Sequence, residues 1–222
     1  IISGEMQSYG YEKVSYKEEA DIYVLNTCSV TENADKEARK LIRKAQKLNP
    51  LAKIAVIGCY AQLQPDQISK IPGVDLVLGA AEKFNLLSHL NSLNDTNESK
   101  IIRSSIKNIS SFQPSYTNGE RTRSYLKIQD GCNYNCSFCT IPLARGISRS
   151  DTIENTVKIA QNIADSGAKE IVLTGINIGD FGSKKDENFL QLIMTLDNLK
   201  GIERFRISSI EPNLLDNEII SF

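Results

Sequence analysis

Three cysteines near the middle of the chain lie close enough in sequence to ligate one metal centre. Cys132, Cys136 and Cys139 fall within eight residues, at the spacing C-x3-C-x2-C. Soft thiolates at such spacing can face a single metal or cluster. A cubane of four irons normally takes four cysteine ligands, so a loop that offers three leaves one iron open to an exogenous ligand. The spacing therefore predicts an iron–sulfur centre with an open coordination position.

Other uses of these cysteines are less consistent with the sequence. A structural zinc site needs four closed ligands, and the further candidates Cys28, Cys59 and His89 are remote in sequence. A disulfide framework is disfavoured because five cysteines is an odd number. Burial as small apolar residues is disfavoured by the glycine and the two asparagines of the loop. Zinc remains the main alternative to iron.

The other two cysteines each follow directly on a predicted strand. Residues 21–25 and 53–57 are short apolar runs, and Cys28 and Cys59 come just after them. In a parallel sheet, ligand sites form beyond the carboxyl ends of the strands. The two cysteines could thus meet at one edge, or they could be separate core residues, and their spacing leaves both interpretations open.

Composition and charge limit the class of protein. The chain has 222 residues and is 41% hydrophobic, which suffices for one large or two small domains. Its net charge is −1, yet residues 100–149 hold eight basic and two acidic residues, a net charge of +6. Such a block suits a polyanionic partner or an anionic cofactor; a solvated linker is the alternative. Without an apolar run of 18 residues or an opening signal peptide, we expect a cytoplasmic protein with no membrane contact.

Hydrophobic periodicity predicts an α/β protein with two domains. In residues 1–95, predicted strands at 21–25, 53–57 and 74–78 alternate with helices, the first of which is expected to begin at a capping box of Ser29 and Glu32. This alternation indicates a small parallel sheet. Residues 96–122 are predicted to be a linker with one short strand at 101–103.

From residue 123 to 222 we expect three consecutive βα units. Their predicted strands are 124–129, 169–174 and 204–208, and the predicted helices are 151–166, 187–199 and a segment from Pro212. Such units fit a (β/α) barrel or an open wound sheet, in which residues after each strand form the active face. That face would combine the cysteine loop with residues 174–177 and 208–211.

The cysteine loop, with Phe138 just before its last cysteine, resembles the radical S-adenosylmethionine (SAM) enzymes. The resemblance implies a partial radical SAM barrel, in which SAM chelates the open iron of a [4Fe-4S] cluster. One electron then cleaves SAM to methionine and a deoxyadenosyl radical. It also implies SAM contacts from the loops after the strands, although ordinary loop chemistry would explain the same residue types. The expected cofactor-binding residues are Phe138, Gly175, Asn177, Ser208, Glu211 and Arg149.

The stretches around Cys28 and Cys59 resemble two of the three cysteine motifs in the N-terminal domain of methylthiotransferases. That family implies a second, auxiliary [4Fe-4S] cluster. Its first cysteine is absent here and is expected upstream of Ile1, so the auxiliary cluster is incomplete in this chain. We accordingly expect a fragment, with the later barrel strands and a C-terminal RNA-binding domain beyond Phe222.

The arginines of Ala144-Arg145-Gly146-Ile147-Ser148-Arg149 resemble the family's R-G-x-x-S-R stretch. A guanidinium can clamp a carboxylate or a phosphate at two points. We expect Arg145 to contact the substrate, while SAM and a nucleic-acid backbone both remain possible targets for the pair.

The overall match is closest to the methylthiotransferases that modify threonylcarbamoyl-adenosine beside the anticodon of tRNA. The resemblance implies the tRNA anticodon loop, an electron donor and a sulfur donor as partners. Radical chemistry suits this reaction because the adenine C–H is not acidic and carries no leaving group, so the cofactor must supply the reactivity. The alternatives are isopentenyl-adenosine in tRNA or a ribosomal-protein aspartate as substrate, and a non-catalytic RNA-binding module held together by zinc.

Overall fold

The computed structural model describes residues 2–28, 31–93, 99–106, 109, 111–117, 123–183 and 186–222. The chain divides into two compact units. The first comprises residues 1–109 and 135–145, and the second comprises residues 110–134 and 146–222. Among the described helices, none combines the length and the apolar character needed to cross a bilayer.

The first unit is built around a four-stranded parallel sheet in the order β1-β2-β3-β4. Its strands are β1 (Ile22–Thr27), β2 (Lys53–Gly58), β3 (Leu76–Leu78) and β4 (Lys100–Ile102). Its helices are α1 (Ile2–Ser8), α2 (Glu32–Leu48), α3 (Cys59–Leu63), α4 (Pro65–Ser69), α5 (Leu86–Asn91) and α6 (Ile141–Arg145), and a 3-10 helix spans Glu82–Asn85. The predicted α/β class with a parallel N-terminal sheet is confirmed.

Apolar side chains cover both faces of this sheet, as a parallel sheet requires. On one face, Ile54 and Val56 pack with Ile42 of α2. On the other face, Ile57 and Leu78 pack with residues of α5. The continuous burial of β2 from Ile54 to Gly58 is that of an inner strand, with β1 and β3 on its two sides.

Two sequence predictions in this unit need correction. Helix α2 begins at a different cap: the Thr31 side chain accepts a hydrogen bond from the Ala34 amide, whereas Ser29, the expected cap, lies outside the described residues. The short strand expected within the linker is also displaced by one residue. It forms β4, which pairs with β3 in parallel register and so belongs to the first sheet.

The second unit contains a sheet in the order β10-β9-β6-β5 and a two-stranded ladder of β7 and β8. Its strands are β5 (Ser115–Tyr116), β6 (Arg123–Lys127), β7 (Gln129–Asp130), β8 (Arg149–Ser150), β9 (Glu170–Thr174) and β10 (Arg204–Ile207). Its helices are α7 (Ile153–Asp165), α8 (Phe189–Asp197) and α9 (Asn217–Ser221), with 3-10 helices at Ile178–Asp180 and Pro212–Leu214. Strands β6, β9 and β10 are parallel, and α7 and α8 connect them in the predicted βα order.

The two faces of the second sheet differ in chemistry. Leu126 and Leu173 lie in one register row and pack with buried residues of α7 and α8. On the opposite face of the sheet, Glu170 of β9 is the register partner of both Arg123 of β6 and Arg204 of β10. The Glu170 carboxylate lies 2.8 Å from Nε of Arg123 and 3.1 Å from Nε of Arg206. Several cations of the second unit are therefore committed to carboxylates within the fold.

Candidate iron–sulfur and cofactor-binding site

Cys28 and Cys59 directly follow the carboxyl ends of the neighbouring strands β1 and β2. Thr27 and Gly58, the residues before them, are partners in the parallel register of β1 and β2. The Thr27 hydroxyl donates to the Ile57 carbonyl at 2.7 Å, which holds the two strand ends together. Cys28 is exposed, Cys59 is half-buried and both are free thiols. The structure thus brings both cysteines to one edge of the sheet.

The last residue of β2, directly before Cys59, must be a glycine. Its φ is +102°, a left-handed value that side chains disfavour. A Cβ at this position would also lie 2.4 Å from the Thr27 carbonyl oxygen. The close approach of the two strand ends, and hence of the two cysteines, depends on a residue without a side chain.

The cysteine loop runs between β7 and α6 without regular structure. The Cys132 amide donates to the Gly146 carbonyl at 3.0 Å, and the Cys139 amide donates to the Cys136 carbonyl at 3.0 Å. The Tyr134 amide donates to the Cys132 sulfur at 3.4 Å. An amide donor favours the thiolate form of the sulfur, which is the form that ligates metal. All three thiols are free.

The compact units divide this loop between them. Cys132 belongs to the second unit, whereas Cys136 and Cys139 belong to the first, in which α6 packs against α3. Among the residues that the structure describes, no three cysteine, histidine or acidic side chains are already gathered as a metal site. The donor set itself, three free thiols with one amide donor on a sulfur, fits an iron–sulfur cluster. Metal binding and local folding are commonly coupled in such loops.

The buried amide of Gln129 joins the base of the cysteine loop to two neighbouring segments. Its Nε2 donates to the Gly131 carbonyl at 2.7 Å and to Oγ of Ser148 at 2.9 Å. Its Oε1 accepts from the amides of Ile176 and Asn177, both at 2.9 Å. Gln129 is fully buried. One side chain therefore fixes the start of the cysteine loop, the stretch before β8 and the loop after β9.

Two glycines make room for this arrangement. A Cβ on Gly175 would lie 2.9 Å from Oε1 of Gln129, and a Cβ on Gly131, whose φ is +74°, would lie 2.1 Å from the Ile147 carbonyl oxygen. Gly175 was predicted to contact the cofactor. The structure places it against the Gln129 amide.

Asp130 and Arg149 form an ion pair beside the loop. Because they are partners in the β7–β8 ladder, Nη2 of Arg149 lies 3.4 Å from Oδ2 of Asp130. Nζ of Lys127 lies 3.4 Å from the same oxygen. Arg149 also donates from Nε to the Ser111 carbonyl at 3.0 Å. The Arg149 guanidinium, predicted to bind SAM, thus also stabilises the segment that carries the loop.

Asn177 and Ser208, two further predicted cofactor residues, lie where β9 and β10 end. Oδ1 of Asn177 accepts from the Glu211 amide at 3.2 Å, so it joins the two loops. Within the described part of the chain, Nδ2 of Asn177 is buried and has no hydrogen-bond partner, which leaves two donors for a ligand or a water. The Ser208 hydroxyl donates to the Leu173 carbonyl at 2.8 Å.

The remaining predicted residues are more accessible. Phe138 is 89% exposed, Glu211 is exposed and Arg145 is half-buried at the end of α6. Exposure leaves Phe138 and Glu211 free to contact a ligand, and within the described residues no hydrogen bond positions the Glu211 carboxylate.

Gln129 and Ser148 were missed by the sequence analysis. In an unbroken strand, side chains alternate between the two faces, so Gln129 is expected on the same outward face as Tyr125 and Lys127. The strand breaks at Ile128, which turns the amide inward. The Ser148 hydroxyl forms a further side-chain hydrogen bond with Asp180, while burial raises the pKa of the Asp180 carboxyl above its ordinary value. No local sequence pattern marks this chain of three polar side chains.

Comparisons with known proteins find a family match in the N-terminal and in the C-terminal part of the chain. Residues 1–79 match the model described as "Uncharacterized protein family UPF0004", and residues 126–221 match "Radical SAM superfamily". The chain is 43% identical to the threonylcarbamoyladenosine tRNA methylthiotransferase MtaB of Bacillus subtilis (strain 168), over 95% of this chain and 48% of that protein. Identity to the MtaB protein of Aquifex aeolicus is 39%, over 99% of this chain and 54% of that protein.

A relative that is named for a different activity is less similar. The chain is 30% identical to the tRNA-2-methylthio-N(6)-dimethylallyladenosine synthase of Hydrogenobaculum sp. (strain Y04AAS1), over 99% of this chain and 52% of that protein. The chain spans about half the length of these curated relatives.

Replacing Gln129 with leucine should destabilise the second unit. The substitution removes the acceptor for the buried Asn177 amide and the part-buried Ile176 amide, and the donor to Ser148. Each buried polar group left unpaired costs about 1–3 kcal/mol. We expect the free energy of unfolding in urea to fall by about 2–4 kcal/mol. Gln161→Leu, on the exposed side of α7, is the matched control and should change it little. Equal effects of the two substitutions would contradict the role given to Gln129.

Replacing Asp180 with asparagine should stabilise the protein at neutral pH. An acid whose pKa is raised in the folded state binds its proton more tightly there than in the unfolded state. Its contribution to stability therefore falls as the pH rises from the ordinary carboxyl pKa through the higher pKa of the folded state, and the loss is complete above the folded pKa. We expect Asp180→Asn to raise the urea midpoint at pH 7, with a gain that shrinks as the pH falls toward the ordinary carboxyl pKa. The exposed Asp186→Asn is the control, and a gain independent of pH would contradict the assignment.

Proposed function

Since this chain belongs to the radical SAM methylthiotransferase family, we propose that its protein methylthiolates threonylcarbamoyl-adenosine next to the anticodon of tRNA. One observation carries the proposal: the chain holds two separate sets of cysteines, and each set follows the end of a strand. One set lies in the region that matches UPF0004 and the other in the region that matches the radical SAM superfamily. A single structural metal would need one set. Two sets fit an enzyme that separates radical generation from sulfur delivery.

In this proposal the three loop cysteines hold the cluster that binds SAM. Cys132, Cys136 and Cys139 would ligate three irons of a [4Fe-4S] cluster and leave the fourth open. Bound there, the cluster and SAM would supply a radical able to abstract the unreactive adenine hydrogen. The hydrogen bonds of Gln129 would hold the loop that carries Cys132 beside the residues after β9.

The polar groups after β9 and β10 would position SAM. The unpaired Nδ2 of Asn177 can donate to a carboxylate or a ribose oxygen, and the exposed Glu211 side chain can accept from an amine or a hydroxyl. Arg149 and Phe138 remain predicted contributors. Arg145, at the end of α6, is the predicted substrate contact.

Cys28 and Cys59 would hold the auxiliary cluster together with a third ligand. Their position at one edge of the parallel sheet allows both to bind the same group. This second [4Fe-4S] cluster would present the sulfur that is transferred. The reaction also requires an external electron donor and a sulfur source.

The relatives support the proposed substrate. The higher identities belong to proteins named for threonylcarbamoyladenosine, and a protein named for dimethylallyladenosine is at 30%. The adenosine would need to be unstacked from its loop before it could be modified, as bases of single-stranded RNA loops can be.

Nucleoside mass spectrometry of total tRNA tests this proposal. A strain that lacks the gene should lose 2-methylthio-threonylcarbamoyl-adenosine and accumulate its precursor. The wild-type gene and the matched loop variant Ser137→Ala should restore the nucleoside, whereas Cys136→Ala should not, because a cluster ligand is lost. Loss of methylthiolated isopentenyl-adenosine, with the threonylcarbamoyl form intact, would contradict the proposed substrate.

A further inference from the structure

Helix α2 carries a row of basic side chains along one side. Its period of 3.6 residues brings positions three and four apart onto the same face, and the opposite face, which includes Ile42 and Ala45, is fully buried. The row, called the α2 basic stripe below, consists of Lys36, Arg39, Lys40, Arg43 and Lys47.

The charge of the α2 basic stripe is only partly neutralised. Lys36 pairs with Glu32 at 2.9 Å and Lys40 pairs with Glu37 at 3.3 Å. All four side chains are more than half exposed, so these ion pairs are weak and readily exchanged. Arg43 is exposed and has no carboxylate partner within the described residues. The same holds for Lys47, so the stripe keeps a net positive charge.

The stripe lies beside the edge that carries the N-terminal cysteines. Helix α2 begins four residues after Cys28. Nη1 of Arg39 donates to the hydroxyl of Tyr60 at 2.8 Å, and Tyr60 is fully buried directly after Cys59. From Lys36 to Lys47 the stripe extends about 16 Å along the helix axis. A shallow depression on this face is lined by Lys36, Arg39, Lys40 and Arg43, with Asn33 and Glu37.

The basic segment found in the sequence is a weaker candidate for a polyanion surface. Within residues 100–149, Arg123 is paired with Glu170. Lys127 and Arg149 both lie against Asp130. These three cations are committed within the fold, whereas every cation of the stripe except Arg39 is exposed.

We propose that the α2 basic stripe binds the phosphate backbone of the RNA substrate. The inference rests on the proposed function, which supplies RNA as the polyanion. Rows of lysine and arginine suit phosphates, which need charge without base recognition. An anionic membrane is the less fitting partner, because a surface-bound helix must insert an apolar face and that face of α2 is packed against the sheet. The stripe would therefore hold RNA beside the Cys28–Cys59 edge.

Salt-dependent binding of a tRNA transcript to this chain tests the inference. The test variant combines Arg43→Gln with Lys47→Gln, which removes two exposed charges and no buried contact. Each lost phosphate contact should lower the slope of log affinity against log salt by about 1, so we expect a decrease of about 2. At about 0.1 M salt, this corresponds to a loss of affinity of tenfold or more.

The matched control removes two exposed lysines elsewhere, by Lys158→Gln with Lys200→Gln, and should leave the slope and the affinity unchanged. An unaltered slope in the α2 variant, or an equal decrease in the control, would overturn the inference. So would failure of the parent chain to bind the transcript at low salt. If the α2 variant instead lost binding to phosphatidylserine vesicles and kept RNA binding, the partner would be a membrane and the inference would fall. Nucleoside mass spectrometry measures the methylthiolation activity independently of RNA binding. The proposed activity and the proposed role of the α2 basic stripe can therefore fail separately.

Discussion

The buried amide of Gln129 is the interaction on which the geometry of the second unit depends. Its two donors and its acceptor oxygen join the first residues of the cysteine loop, the segment before β8 and the loop after β9. Gln129, Ser148 and Asn177 are buried, so they cannot exchange these partners for water without cost. A side chain on Gly175 would meet the Gln129 amide, and the network links Asn177 to the strand that precedes Cys132.

In the first unit, strand pairing rather than a buried side chain brings the cysteines together. Register pairing of β1 with β2 brings Cys28 and Cys59 to one edge, and the positive φ of Gly58 allows the strand ends to approach. The same edge continues into α2, where the N-cap Thr31 starts the helix that carries the basic stripe. A cluster site and an RNA-binding face would then share the sheet edge that positions both.

Sequence patterns predicted what depends on periodicity and on motif spacing. The three strands before residue 80 and the βα order after residue 123 were found because apolar runs and turn residues mark them. The Gln129 network was not found, since a strand break at Ile128 reverses the expected orientation of the amide. Counting charges along the chain selected residues 100–149. That count left out Glu170, the partner of Arg123, which lies outside the segment. It also did not select α2, whose cations share one face in the folded helix.

The central claim is that Cys132, Cys136 and Cys139 hold a cluster with one open iron. Electron paramagnetic resonance of the chain, reconstituted anaerobically with iron and sulfide and then reduced, tests it most directly. The account predicts a cubane signal that shifts when SAM is added and disappears in Cys132→Ala. A cluster indifferent to SAM, or a colourless protein that binds only zinc, would contradict it.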